Sequence, residues 1–396
     1  MLLLTLIAVL LVLATLPGTI ELLLLTIASL FHRNPAAAAD GIPPDMPRLA
    51  VLIPAHNETL TIRRCVRSVA ASRGKVDADI VVIADNCDDD TAEQAAAAGA
   101  RVLTRSDTQR RGKGYALDFA FNALAAEPYA GFVVVDADSI VSDNFIPVFA
   151  ASIAAGADAV QCRYTTLNAD ASLRTRLMNV ALMAFNALRP RGRDALGLSA
   201  GILGNGFALA ARTLRQVPYS ADSVVEDLEY HLLLVRHGLR VRFTDAAWVK
   251  ADMPTGGRVS ETQRARWEGG RLLMLRQHAP VLLRRVLGGD WRLLEPALDL
   301  LLLPLAYHVL LLLVTLALPV PFARGYALFA LGVVVLHTLT AIRVGGGRWQ
   351  DLFVLAAAPA YILWKLTVLR LIRRAGKRDA AWVRTEREPT ERKPHD

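Results

Sequence analysis

The chain has 396 residues, a formal charge of +8 and 53% hydrophobic residues, with a mean hydropathy of +0.33. That is too long for one compact domain and too apolar for a wholly soluble protein, so membrane segments are expected beside a folded polar part. The charge does not argue for nucleic acid as a partner. Basic residues gather beside apolar stretches, at Arg284-Arg285 and at Arg370, Arg373, Arg374, Lys377 and Arg378, as at a membrane surface.

In chain order, Met1 to Phe31 is nearly all apolar, broken by Pro17-Gly18 and Glu21. It has neither a basic n-region nor a small-residue cleavage site, so it reads as an uncleaved anchor over 1–31. A linker follows over 32–47, with low-complexity sequence confined to Ala36–Ala39. The run Leu49-Ala-Val-Leu-Ile53 predicts a buried strand ending in Pro54-Ala-His-Asn-Glu58. Ile62, Cys65, Val66 and Val69 then recur at helical spacing.

A second strand, Ile80–Ala84, ends in Asp85, and Thr91 with the aspartates before it can cap an Ala-rich helix over 92–98. Arg101–Thr104 reads as a third strand and Gly114–Ala126 as a helix. Phe132–Val135 is a fourth strand, delivering Asp136-Ala-Asp138. Alternating strands and helices of this kind specify a parallel, Rossmann-like α/β sheet. Its polar residues then collect on the rim formed by strand C-terminal ends, where open α/β sheets bind ligands.

Asp136 and Asp138 can share a face with Ala137 turned away. Two such close carboxylates repel unless a cation sits between them, and hard oxygen ligands suit Mg²⁺ or Mn²⁺ and a diphosphate. Asp85 has two readings, a helix cap or a contact to the same nucleotide. Arg110, Arg111 and Lys113 form a basic cluster suited to an anionic substrate. Gly201–Ala210 reads as a glycine-rich turn entering a buried strand, where Gly204 and Gly206, around Asn205, allow close backbone approach to a ligand or simply a tight turn.

Glu226-Asp227 opens an apolar helix over Leu228–Val235, where acidic residues also serve as dipole-favourable caps. Gln263-Arg-Ala-Arg-Trp267 begins another helix, with Gln263, Arg266 and Trp267 on neighbouring faces. Such a segment could also be an Arg/Trp stretch at a membrane interface. Cys65, Cys87 and Cys162 lack ligand spacing and suit a reducing cytosolic setting.

Past the polar part, 271–295 reads as an interfacial helix region, 296–372 as a membrane region of two to three segments and 373–396 as a basic tail. The apolar stretches are Pro296–Val320, Gly325–Ile342 and Leu352–Leu369, each near the roughly 18–20 residues a spanning helix needs. A cytoplasmic globular part with four spans would export the basic tail, against the positive-inside rule. Leu352–Leu369, interrupted by Pro359 and Lys365, is therefore expected to lie in the interface or re-enter, with a true fourth span as the alternative.

Taken in order, Pro54-Ala-His-Asn-Glu58, Asp85, Arg111-Gly-Lys-Gly114, Asp136-Ala-Asp138, Glu226-Asp227 and Gln263-x-x-Arg266-Trp267 resemble the membrane-integrated family-2 glycosyltransferases, similar to cellulose, chitin and hyaluronan synthases. The resemblance runs from about residue 49 to 270. It implies a glycosyltransferase A-type domain over 48–270, flanked by transmembrane helices and facing the cytoplasm of a multi-pass protein in a bacterial inner membrane.

By the same resemblance, Pro54, Glu58, Asp85, Lys113 and Asp136 bind the nucleotide sugar, and Asp136 with Asp138 holds the metal. Asp227 is the general base. Gly204, Asn205, Glu226, Gln263, Arg266 and Trp267 serve acceptor and diphosphate, and Trp382–Arg387 resembles a gating segment. Asn86-Cys87 stands where several synthases carry Asp and Gly, and the membrane complement is smaller than theirs.

The implied partners are a nucleotide-sugar donor, a UDP-sugar by analogy with those synthases, a glycan or lipid acceptor, membrane lipids and polysaccharide export or synthesis proteins. The implied activity is inverting transfer of a hexosyl or N-acetylhexosaminyl unit to a growing glycan. Rival readings are single-sugar transfer to a membrane lipid and a non-catalytic scaffold with a degenerate nucleotide-sugar fold; intact Asp136, Asp138 and Asp227 argue against the scaffold.

Overall fold

The computed structural model describes residues 1–34, 46–220, 225–253, 257–357 and 359, apart from the side chains of 257–267. The first half of the globular part follows the sequence pattern closely. Strand β1 (Leu49–Ala55) pairs in parallel with β2 (Ala78–Asp85) and β4 (Gly131–Val134), and β2 pairs in parallel with β3 (Arg101–Arg105). Leu49 through Ile53 are wholly buried because helices cover both faces of a parallel sheet. Each such aliphatic side chain contributes about 1.5–3 kcal/mol by leaving water.

Helix α2 (Ile62–Ala71) places Ile62, Cys65, Val66 and Val69 against one sheet face, as their spacing predicts. Helix α3 (Thr91–Ala97) follows β2, and α4 (Lys113–Ala123) sets Ala116, Leu117, Ala120 and Phe121 on the opposite face. The second half departs from strict βα alternation. After β4 come β5 (Ile140–Val141), α5 (Phe145–Ala154), β6 (Ala159–Thr166), α6 (Leu173–Met183), α7 (Arg189–Ala195), β7 (Phe207–Ala210), α8 (Ala211–Gln216), α9 (Glu226–Arg236) and β8 (Val241–Ala251).

Strand β7 runs antiparallel to both β4 and β6, while β6 and β8 are parallel, giving the order β3-β2-β1-β4-β7-β6-β8-β5. The sheet is therefore mixed and mainly parallel, in line with the expected fold class.

Helix α1 (Leu2–Ser29) and helix α13 (Pro321–Val344) are long and apolar enough to cross a membrane. The expected single stretch Pro296–Val320 is instead two helices, α11 (Leu294–Leu301) and α12 (Leu305–Ala317), in an element bent by 74°. Pro304 accounts for the break, since it lacks an N–H and disfavours helical backbone in the residue before it. Leu352–Leu369 and the basic tail, with Trp382–Arg387, lie outside the described residues beyond Ala357, save residue 359.

The start of the expected linker is packed against the globular part. His32 Nε2 lies 3.4 Å from Asp194 Oδ2, and the Asp245 amide donates to Asn34 Oδ1 at 2.7 Å. Helix α10 (Gly257–Leu287) begins six residues before Gln263, earlier than the motif alone predicts. The side chains of Gln263, Arg266 and Trp267 lie outside the described residues.

Candidate active site

The polar residues converge on one rim, as strand-end geometry requires. Asp136 and Asp138 lie just past β4 in a turn closed by the Ser139 amide donating to Asp136 O at 3.0 Å, instead of on the extended strand itself. Alternation still holds: Ala137 is buried while both aspartates are partly open. Lys113, at the first position of α4, donates to Asp136 Oδ1 and to the Gly204 carbonyl, bridging the aspartate turn to the glycine-rich loop.

That loop is built from inside the sheet. Gln161, wholly buried in β6, accepts from the Leu203 amide at 2.8 Å and donates to the carbonyls of Asn205 (2.8 Å) and Gly206 (3.1 Å). Asn205 Oδ1 accepts from the Asp136 amide at 3.1 Å, and its Nδ2 donates to Ser139 Oγ at 2.9 Å. Asn205 is therefore a brace between the loop and the aspartate turn.

Gly204 adopts φ +81°, and a Cβ there would lie 3.0 Å from Asp227 Oδ2. Both the left-handed backbone and the close carboxylate require glycine. Lys113, Asp136, Gly204, Asn205 and Asp227 thus form one cluster, with Glu226 beside it.

Asp227 Oδ1 accepts the Leu228 amide at 2.8 Å, so one oxygen is bound in the first turn of α9 while Oδ2 faces Gly204. Burial, then the neighbouring Asp227 charge, pushes the Glu226 carboxyl from 4.5 up to about 7. Burial likewise raises Asp227 above its ordinary value. A raised folded value favours the neutral acid, so Glu226 adds stability below pH 4.5 that is lost as pH rises to about 7. Glu226→Gln should therefore raise the melting temperature at pH 8 and leave it nearly unchanged at pH 4. An equal shift at both pH values in calorimetry would remove the charge as its cause.

Asp85 lies apart from this cluster. It is buried and paired with Arg105 at 2.6 Å, and the Asp85 carbonyl meets His56 Nδ1 at 2.8 Å. Its cap reading fails, because Asp89 Oδ1 accepts the Thr91 amide at 3.0 Å and α3 starts six residues beyond Asp85. Pro54 lies within β1. Glu58 follows it, its amide donating to Thr91 Oγ1 at 2.7 Å and its carboxylate accepting from Thr61 Oγ1 at 3.1 Å.

Arg105, Ser139 and Gln161 were not singled out from the sequence. Arg105 could have been, as a charged residue ending a strand on the same rim, and Gln161 as a polar residue inside an apolar strand.

Asp136 and Asp138 offer the hard carboxylate oxygens that Mg²⁺ or Mn²⁺ takes, and two such ligands suffice where substrate phosphates complete the shell. The Asp136 side chain is 34% exposed, so it is open to solvent on the rim. The donor set fits such an ion.

Residues 47–270 match the profile described as glycosyltransferase like family 2. Over 237 residues the chain is 27% identical to the probable glycosyltransferase YdaM of Bacillus subtilis (strain 168), covering 57% of this chain and 56% of that protein's length. The solved mannosyltransferase PcManGT of Pyrobaculum calidifontis, in complex with GDP-Man and Mn²⁺, matches across 93% of this chain and 97% of its own. Its TM-score is 0.55 at 18% identity, a likeness of fold. Glucosyl-3-phosphoglycerate synthase of Mycobacterium tuberculosis, in complex with Mg²⁺ and UDP, matches 53% of this chain and 73% of its own, with 27% identity and a TM-score of 0.37.

Proposed function

Because this chain belongs to glycosyltransferase-like family 2, we propose that it is an inverting enzyme that moves a sugar from a nucleotide-sugar donor, a UDP-sugar, to a growing glycan at the cytoplasmic membrane. The observation that carries this reading is the junction of Lys113, Asp136, Gly204 and Asp227 on one rim, two carboxylates and a cation around a glycine backbone. The unit transferred is a hexose or an N-acetylhexosamine.

In this reading Asp227 takes the proton of the acceptor hydroxyl as that oxygen bonds to the anomeric carbon. The nucleoside diphosphate leaves with the bonding electrons, and Lys113 and Arg266 offset its growing negative charge. Asp136 and Asp138 would hold Mg²⁺ or Mn²⁺, which supplies charge neutralisation at the diphosphate when bound. Pro54, Glu58 and Asp85 border the nucleotide, with Asp85 kept in place by Arg105. Glu226 supports Asp227, Asn205 braces the loop, and Gln263 and Trp267 serve the acceptor.

Residues 48–270 form the cytoplasmic catalytic domain, α1 anchors it, and 271–295 lies along the membrane surface. The remaining apolar segments make the protein multi-pass. A second reading, addition of one sugar to a membrane lipid, is favoured by the bent element of α11 and α12, which places a break in an apolar segment beside α10.

The test is to incubate the detergent-solubilised chain with Mn²⁺ and a panel of UDP- and GDP-sugars in native lipid extract, measuring released nucleotide and product mass. A ladder of masses is expected. One sugar on a lipid would establish the second reading, and no nucleotide release from any donor would end both.

A further inference from the structure

Two kinds of contact tie the turn bearing Asp227 to the apolar helices. The first is packing. Leu232 and Val235 of α9 share a core with Met274 and Leu282 of α10 and with Ala297 and Leu300 of α11. A close approach is at Gly270, where a Cβ would lie 2.3 Å from Val225 Cγ1. Helix α10 thus rests on the residue just before Glu226, at a separation that only glycine permits.

The second contact is ionic and begins at the next residue. Arg271 Nη2 donates to the Asp299 carbonyl and, at 3.4 Å, to the Leu302 carbonyl, while Nη1 lies 3.9 Å from Asp299 Oδ2. These carbonyls end α11 at its break, where no further turn of helix satisfies them. The Asp299 carboxylate also accepts from Arg189 at 2.8 Å and Arg193 at 2.6 Å. Arg189 reaches Glu21 of α1 at 2.6 Å, and Arg193 reaches Glu295 at 2.5 Å. The carboxylates of Glu21, Glu295 and Asp299 approach within 4.8 Å of one another, and guanidinium groups are the cations that neutralise them.

We propose that Arg271 and Asp299 are positioning residues for sugar transfer: by fixing α10 on the broken membrane element, they hold Gly270 against Val225 and thereby Asp227 against Gly204. The inference rests on the reading of Asp227 as the general base. Removing Arg271 takes the side-chain donor from the carbonyls that end α11 and releases α10 from the element that carries them. A displacement of about 1 Å at a reacting group costs on the order of 10²-fold in rate. Asp136 and Asp138 lie on β4's turn, braced by Asn205 and away from α10, so metal binding should not follow that displacement.

The test uses the full chain in nanodiscs, with Gly270→Ala adding one methyl group at Val225 and Arg271→Gln removing the charge. Each should lower kcat by about tenfold or more while the Mn²⁺ concentration for half-maximal activity stays within about twofold. Arg271→Lys should recover part of the loss. Val225→Ala combined with Gly270→Ala should restore kcat to within about threefold of Val225→Ala alone, because it vacates the space the new methyl fills.

Parent-like kcat in both single variants would overturn the inference, as would a double variant no better than Gly270→Ala. If Gly270→Ala does not fold, the Arg271→Gln and Arg271→Lys pair decides on the same criteria. Asp227→Asn is measured alongside: turnover retained there would overturn the base reading together with the inference. A dead Asp227→Asn beside fully active Gly270→Ala and Arg271→Gln would overturn the inference alone.

Discussion

Asp227→Asn is expected to lower sugar transfer by about 10²–10⁴-fold while nucleotide affinity stays within about twofold. The amide keeps the size of the carboxylate and can still accept the Leu228 amide at 2.8 Å, so the first turn of α9 should survive. What is lost is the basic oxygen facing Gly204. Asp227 lies toward the acceptor in this account, whereas nucleotide and metal engage Asp136 and Asp138, so catalysis and binding should separate. Titration calorimetry with UDP or GDP and Mn²⁺, set beside initial rates, makes the comparison. Lost nucleotide affinity with turnover retained would make Asp227 a helix-capping residue only.

Asp138→Asn should cost about 3 kcal/mol or more of transition-state stabilisation, roughly a hundredfold in kcat/KM, by removing a ligand charge from the metal. Part of that loss should return at high Mn²⁺, because the weakened site still keeps Asp136. The turn itself should persist, since it is closed by the Ser139 amide on the Asp136 carbonyl, which the substitution does not touch. Rates measured across a Mn²⁺ titration in parent and variant check this. Full turnover of the parent in excess EDTA would contradict it.

The first half of the sheet was legible because its signals are local. Apolar runs such as Leu49–Ile53 and Gly131–Val135 mark strands, and the polar residues that follow each run fall on one rim by the geometry of parallel βα units. The antiparallel entry of β7 was not legible. Its four residues Phe207–Ala210 read only as a buried strand, and periodicity carries no strand direction.

Asp85 shows the same limit at the site. Its strand-end position was evident, but its pairing with Arg105 depends on β2 and β3 lying side by side. Glu21 showed in the sequence only as a flaw in an apolar helix. Its partner Arg189 lies 168 positions away, and such a pairing leaves no trace in local pattern. The break before Pro304 did carry a local signal, the proline itself, which the hydropathy of the surrounding residues obscured.

The anomeric configuration of the first product, followed by proton NMR with the donor that the panel identifies, tests the central claim most directly. Direct attack by an acceptor that Asp227 deprotonates displaces the diphosphate from the opposite face of the sugar. A donor linked in the α configuration should therefore yield a β-linked product, formed only with Mn²⁺ or Mg²⁺ and about 10²–10⁴-fold more slowly in Asp227→Asn. An α-linked product would contradict the account, because attack from the face opposite the diphosphate inverts the anomeric centre.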